Sequence, residues 1–154
     1  LVKEYLKPHK NDIVLDLYCG VGFFSLMIAR HAGEVVGIEN NRMAIEYAKG
    51  NARLNYIENA SFYLGDAKEQ FEKIKGQFSK VVLDPSREGC NRGVLDEIGK
   101  RKIKEVVYVS CAVDTLARDL KILMKYGYNI EKAEALDMFP FTYHAELIVK
   151  LNRK

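Results

Sequence analysis

Two glycines one residue apart, Gly20 and Gly22, follow the run Ile13-Val14-Leu15-Asp16-Leu17 and precede an apolar helical pattern over 23–32. That order reads as a buried strand feeding a helix through a tight glycine turn. The turn brings backbone close to a ligand, and the start of the helix presents unpaired N–H groups to a polar or anionic edge.

Two ligand classes use this device, nicotinamide or flavin dinucleotides and S-adenosyl-L-methionine. The dinucleotide fingerprint G-x-G-x-x-G finds Ser25 at its third glycine. Asp16 closes the strand four residues before Gly20. Its carboxylate would repel a pyrophosphate and attract the ammonium or sulfonium of a methionine moiety. Tyr18 and Phe23 flank the glycines and are candidates to pack on the donor. A second apolar strand over 34–39 ends in Glu39, about 20 residues past the loop, where an acid takes ribose hydroxyls.

Further along, Asn40 or Asn41 caps a helix running to about 55, with Ala44, Ala48 and Ala52 as a small-residue face. A third strand over 61–64 ends at Gly65-Asp66. Asp66 is read both as the cap of a helix over 67–74 and as an acceptor for an adenine amino group. Strands over 80–84 and 105–111 end in Asp84 and Cys111, with a short helix over 94–100 between them. Asp114 is expected to cap a helix over 115–126 whose buried stripe is Leu116, Leu120, Leu123 and Met124, closed by Gly127.

Two more strands, over 128–138 and 143–151, are joined by only four residues, so the last must run antiparallel. Strands alternating with helices make the rest parallel, with right-handed crossovers. The predicted architecture is a doubly wound, Rossmann-like α/β sheet of seven strands, mostly parallel with the last reversed. That is the class I methyltransferase variant, and its terminal hairpin favours S-adenosyl-L-methionine over a dinucleotide.

At 154 residues, 48% hydrophobic and 29% charged, the chain suffices for one domain and is too short for two ordinary ones. No apolar run nears the roughly 20 residues that cross a bilayer, and no signal peptide opens the chain. Cys19, Cys90 and Cys111 show no C-x-x-C spacing, which points to a reducing cytoplasmic setting and to no metal site. A net charge of +3 permits an RNA partner without demanding one. The chain opens at Leu1 inside a helical pattern, so residues 1–154 are expected to be one domain of a longer protein, and a monomer.

In such sheets ligands bind beyond the carboxyl ends of the parallel strands. Asp16, Glu39, Asp66, Asp84 and Cys111 fall there, and the reversed last strand brings His144 and Glu146 to the same edge. A thiol and a carboxylate beside a methyl donor suit methylation of carbon 5 of a pyrimidine. A thiolate adding to carbon 6 makes carbon 5 nucleophilic, and a base then removes the carbon 5 proton. Cys111 suits the first role, because the helix starting just after it lowers a thiol's pKa. Glu146 suits the second. His144 is a candidate to orient Glu146 or to meet phosphate, while Cys19 reads as buried and Cys90 as incidental in a mobile loop.

Four segments resemble the RNA uracil-5-methyltransferase family, which forms 5-methyluridine in tRNA and 23S ribosomal RNA. Asp16-Leu17-Tyr18-Cys19-Gly20-Val21-Gly22 is similar to its cofactor loop, and Asp84-Pro85-Ser86-Arg87-Glu88-Gly89 to its D-P-P-R-x-G segment. Ser110-Cys111-Ala112-Val113-Asp114-Thr115-Leu116-Ala117-Arg118-Asp119 resembles its nucleophile segment, S-C-N-P-x-T-L-A-R-D. Phe139-Pro140-Phe141-Thr142-Tyr143-His144-Ala145-Glu146 resembles the segment carrying the base, F-P-H-T-x-H-V-E. The resemblance implies Cys111 as nucleophile, Glu146 as base, and Tyr18, Phe23, Glu39, Asp66 and Asp84 at donor- or substrate-contacting positions. It also implies an RNA substrate (rRNA or tRNA) and an upstream RNA-binding domain outside this chain. Ala112-Val113, Phe141 and Ser86 depart from the pattern while leaving both chemical groups in place. An RNA cytosine-5 methyltransferase, a dinucleotide-dependent oxidoreductase and a non-catalytic RNA-binding relative are the alternatives. The first looks for a second cysteine beside Pro85, where Ser86 stands.

Overall fold

Because β1 (Ile13–Leu17) carries apolar residues on both faces, it can lie only in the middle of a covered sheet. The computed structural model, which describes residues 1–137 and 145–153, places it there. On one side β1 pairs in parallel with β2 (Glu34–Glu39), Leu15 facing Val36. On the other it pairs with β4 (Lys80–Leu83), Leu15 facing Val81. Beyond these lie β3 (Ala60–Leu64), beside β2, and β5 (Glu105–Ser110), beside β4, both parallel. The last strand, β7 (Glu146–Arg153), runs antiparallel between β5 and β6 (Tyr128–Leu136), giving the order β3-β2-β1-β4-β5-β7-β6. The expected seven strands and reversed terminal strand are both present. Strand order reverses between β1 and β4, so the crevice for a ligand opens at their carboxyl ends.

Helices cover both faces. Against one face pack α4 (Ala67–Lys73), α5 (Arg92–Lys100) and α6 (Val113–Lys125), through Phe71, Leu95, Ile98, Leu116 and Leu123. The other face carries α1 (Val2–Leu6) and α2 (Phe23–Ala29), through Tyr5, Leu6 and Ile28 against Val14, Val82 and Val107. Beside them α3 (Arg42–Leu54) lays Ala48 and Ala52 on Phe62 and Cys19, as its small-residue face implies. Phe71 is fully buried, edge-on to Phe78 at 6.1 Å, with the Arg101 guanidinium 4.6 Å above its ring. Phe71→Ala should therefore lower unfolding free energy by about 3–5 kcal/mol; denaturant titration with an unchanged slope is the check.

Three local expectations need correction. Asp114 does not cap α6, which begins at Val113 with Ala112 in the cap position. The Ser110 hydroxyl accepts the Ala112 N–H at 3.1 Å, and that local turn starts the helix one residue before Asp114. Asp114 instead sits in the first turn, where a carboxylate still favours the helix dipole. The buried stripe of α6 is Leu116, Asp119 and Leu123, while Met124 is half exposed, one step round the helix. Cys90 is no loose loop residue either: it is buried in the core.

Candidate active site

At the end of β1 the chain turns through Tyr18, Gly20 and Gly22, all with positive φ (66°, 53° and 85°). Glycine accepts this freely, whereas for a tyrosine it is a strained state of the kind that gathers at ligand sites. Beneath the turn Asp16 is fully buried. Its Oδ2 accepts the Ser25 hydroxyl at 2.5 Å, and its Oδ1 has no protein partner. Burial dominates its electrostatics and, with repulsion from Asp84 and Glu39, pushes the carboxyl up to about 7 against the opposing Ser25 hydrogen bond. An orphaned oxygen on a buried acid is a place for a cationic group.

Glu39 ends β2 and ties it to the turn, with Oε2 accepting the Gly20 N–H at 3.1 Å and Oε1 the Asn41 N–H at 2.9 Å. Asp66 caps α4 by accepting the Lys68 and Glu69 N–H groups at 2.9 and 3.1 Å through Oδ1 alone. Tyr18, Glu39, Asp66 and Asp84 come together on the wall of one open cleft of about 1110 Å³. Gly20, Gly22 and Phe23 do not line it. Phe23 is 69% exposed and meets Phe24 edge-on at 5.3 Å.

Asp84 follows the last residue of β4. Partial burial and then repulsion from Glu146 push its carboxyl up to about 6, tempered by the flank it keeps in solvent. That repulsion also reports the approach of β7. The β5–β7 ladder ends at Ser110 paired with Leu147, and Cys111 and Glu146 are the next residues beyond that pair. Both are half-buried and lie off the wall of the large cleft, at the strand ends next to Asp84. His144 lies outside the described residues.

The three thiols are unbridged and differ in setting. Burial pushes Cys19 far up and Cys90 up to about 12, so neither is a ready thiolate at neutral pH. Cys111 alone of the three is not buried. Among the buried polar residues, the sequence reading gave no role to Asp119, whose carboxylate is fully buried. Its signal was its place on the 116/119/123 stripe of α6, where an apolar residue is the ordinary occupant.

The strand order with a reversed strand between β5 and β6, and a ring of carboxylates at the ends of β1 to β4, define a class I methyltransferase-type domain. The tRNA (Uracil-5-)-methyltransferase family model matches residues 2–154, and the chain belongs to that family. An uncharacterized RNA methyltransferase of Clostridium acetobutylicum is 42% identical over 153 residues, 99% of this chain and 34% of the relative. The 23S rRNA (uracil(1939)-C(5))-methyltransferase RlmD of Vibrio campbellii is 44% identical over 146 residues, 93% of this chain and 33% of the relative. The crystal structure of Pyrococcus abyssi tRNA (uracil-54, C5)-methyltransferase, in complex with S-adenosyl-L-homocysteine, superposes with a TM-score of 0.83 at 34% identity. That alignment covers 97% of this chain and 36% of the other. The chain spans about a third of the length of the curated relatives it matches.

Proposed function

We propose that residues 1–154 form the methyl-transferring domain of a cytoplasmic enzyme that methylates carbon 5 of uridine in RNA, using S-adenosyl-L-methionine. The observation that supports this reading is the β5–β7 ladder, whose last pair, Ser110 and Leu147, is followed by a half-buried thiol on one strand and preceded by a half-buried carboxylate on the other. Among the described residues no helix is long and apolar enough to cross a membrane.

The chain's own groups divide the work. The donor, when bound, supplies an electrophilic methyl group. Asp16 offers its orphaned Oδ1 to the donor's cationic end, Glu39 its carboxylate to ribose hydroxyls, and Asp66 its free Oδ2 to the adenine amino group. Tyr18 lines the donor's flank, with Gly20, Gly22 and Phe23 shaping the turn behind it, and Asp84 borders the nucleobase. The Cys111 thiolate bonds to carbon 6, and the displaced ring electrons make carbon 5 the nucleophile that takes the methyl group. Glu146 then removes the proton left on carbon 5. The C–H electrons restore the 5,6 double bond, and Cys111 leaves as thiolate. A target base must leave its stack to reach the thiol, which favours a loop or an opened helix.

RNA made with 5-fluorouridine tests this directly, with tRNA and 23S ribosomal RNA in separate arms. Fluorine in place of the carbon 5 proton blocks the final elimination, so a covalent adduct mapped to Cys111 is expected. Unmodified Cys111 after exposure to both RNAs and the donor would refute the reading.

Asp16 adds a pH dependence. Its folded pKa of about 7 lies above the ordinary carboxylate range, so the empty site favours the neutral acid and the cationic ligand favours the ion. Ligand affinity should then rise as pH increases toward 7 and level off above it. By linkage the gain in S-adenosyl-L-homocysteine affinity from pH 6 to 8 is about tenfold, with proton release at pH 6. Asp16→Asn should flatten the profile, which calorimetry in buffers of different ionisation heat will show. For folding alone the sign is opposite: Asp16 favours the native state below the ordinary carboxylate range, and that contribution is lost as pH rises toward 7.

A further inference from the structure

The loop 84–91 after β4 borders the cleft, and side chains on one face of α6 hold its backbone. Thr115 Oγ1 donates to the Arg87 carbonyl at 3.0 Å, and lies 3.3 Å from the carbonyl of Ala112, the residue after Cys111. Arg118 Nη2 donates to the Glu88 carbonyl at 2.9 Å and to that of Cys90 at 3.4 Å. Asp119 Oδ2 accepts the Cys90 N–H at 2.7 Å and the Tyr108 hydroxyl at 2.6 Å, while Oδ1 accepts Arg118 Nε at 2.8 Å. Positions 115, 118 and 119 are i, i+3 and i+4, the spacing that places three side chains on one side of a helix.

The loop is shaped for this grip. Gly89 has φ +76°, and a Cβ there would stand 2.6 Å from both Arg118 Nη2 and Asp119 Oδ2, and 3.0 Å from Thr115 Cβ. Any side chain would meet all three gripping residues at once. Burial of Asp119 makes the arrangement exacting, because an acid removed from water needs each of its partners. Neither the apolar core nor helix capping calls for a carboxylate at that point.

We propose that Thr115, Arg118 and Asp119 form a latch of positioning residues that fixes the 84–91 loop relative to Cys111, so that a nucleobase meets Asp84 and the thiol together. This rests on the uridine reading above. Through Thr115 the latch ties the first turn of the helix that follows the nucleophile to the loop that starts at Asp84. Glu39 and Asp66 bond elsewhere, to the glycine turn and to the start of α4, whereas Arg118 and Asp119 line the cleft themselves and the Tyr18 hydroxyl accepts the loop's Asn91 N–H at 3.4 Å.

The test uses the intact enzyme with Arg118→Lys, Thr115→Val, Thr115→Ser and, from the loop side, Gly89→Ala. Lysine keeps the charge beside Asp119 but lacks the planar fork that serves Asp119 and the two loop carbonyls from separate nitrogens, and neither it nor Thr115→Val empties the core. For Arg118→Lys, Thr115→Val and Gly89→Ala, amide exchange at Gly89 and Cys90 should quicken about tenfold with the sheet unchanged. Adduct formation with 5-fluorouridine RNA should slow about tenfold or more, because small misplacements at a reacting centre carry large rate penalties. In Thr115→Val, whose side chain lies off the cleft wall, affinity for S-adenosyl-L-homocysteine should hold, and Thr115→Ser should restore both loop exchange and adduct rate. Unchanged exchange would show there is no latch. Faster exchange with an unchanged adduct rate, or no rescue by serine, would show that it positions nothing. Absence of adduct from the unaltered enzyme counts against the uridine chemistry itself, and loop exchange in the variants still decides whether the latch holds.

Discussion

Cys111→Ala should abolish methyl transfer to RNA while leaving donor binding in place. Carbon 5 of a uracil ring is a weak nucleophile, and attack at carbon 6 is what converts it into a strong one. Without the sulfur no other group among the described residues can supply that step, since Cys19 and Cys90 are buried with their thiols held neutral. The expected loss is about 10⁴-fold or more, a modest share of typical enzymatic rate enhancements of about 10⁶-fold and above. The residue is half-buried at a strand end, so exchanging the thiol for a methyl group should shift stability by only about 1 kcal/mol. Loss of turnover with normal melting and normal S-adenosyl-L-homocysteine affinity is the expected result. Turnover at the unaltered rate would remove Cys111 from the chemistry.

Glu146→Gln should separate the two halves of the reaction. The amide keeps the size of the carboxylate and cannot accept the carbon 5 proton, so methyl transfer proceeds and release of the thiolate fails. Protein bound covalently to ordinary uridine RNA should accumulate, and turnover should fall by about 10²–10⁴-fold. A second, independent consequence concerns Asp84, whose carboxyl Glu146 helps to raise to about 6. Removing the negative charge lowers that value, so Asp84 should titrate at lower pH in the variant, by carboxyl carbon NMR. Normal turnover in Glu146→Gln would reassign the base. An Asp84 titration that does not move would show that the two carboxylates are not neighbours in solution.

Much of the sheet was legible because buried parallel strands announce themselves as unbroken apolar runs. β1, β2, β4 and β5 lie within a residue or so of where those runs stop. The reversed β7 followed from a connection too short for a crossover. The gathering of Glu39, Asp66 and Asp84 on one cleft was legible for the same topological reason, and Asp66 caps α4 as that reading expected. What escaped was tertiary. Asp114 resembles a cap in isolation, but the Ser110 hydroxyl, folded back on Ala112, starts the helix earlier. Cys90 sits among loop-like residues, and only side chains of α6, among them the Asp119 carboxylate twenty-nine positions on, show that the loop is held and that Cys90 is buried in it. Likewise a tyrosine in left-handed conformation at the donor turn has no one-dimensional signature.

The placement of β7 between β5 and β6 carries a consequence for biosynthesis. Nearly the whole chain must leave the ribosome before its penultimate gap in the sheet can be filled, and until then β5 and β6 each present a bare hydrogen-bonding edge of the kind that invites aggregation. Glu146 arrives at the start of that inserting strand, opposite the end of β5. On the proposed chemistry, the carboxylate that releases the methylated base would thus take its place in one late event.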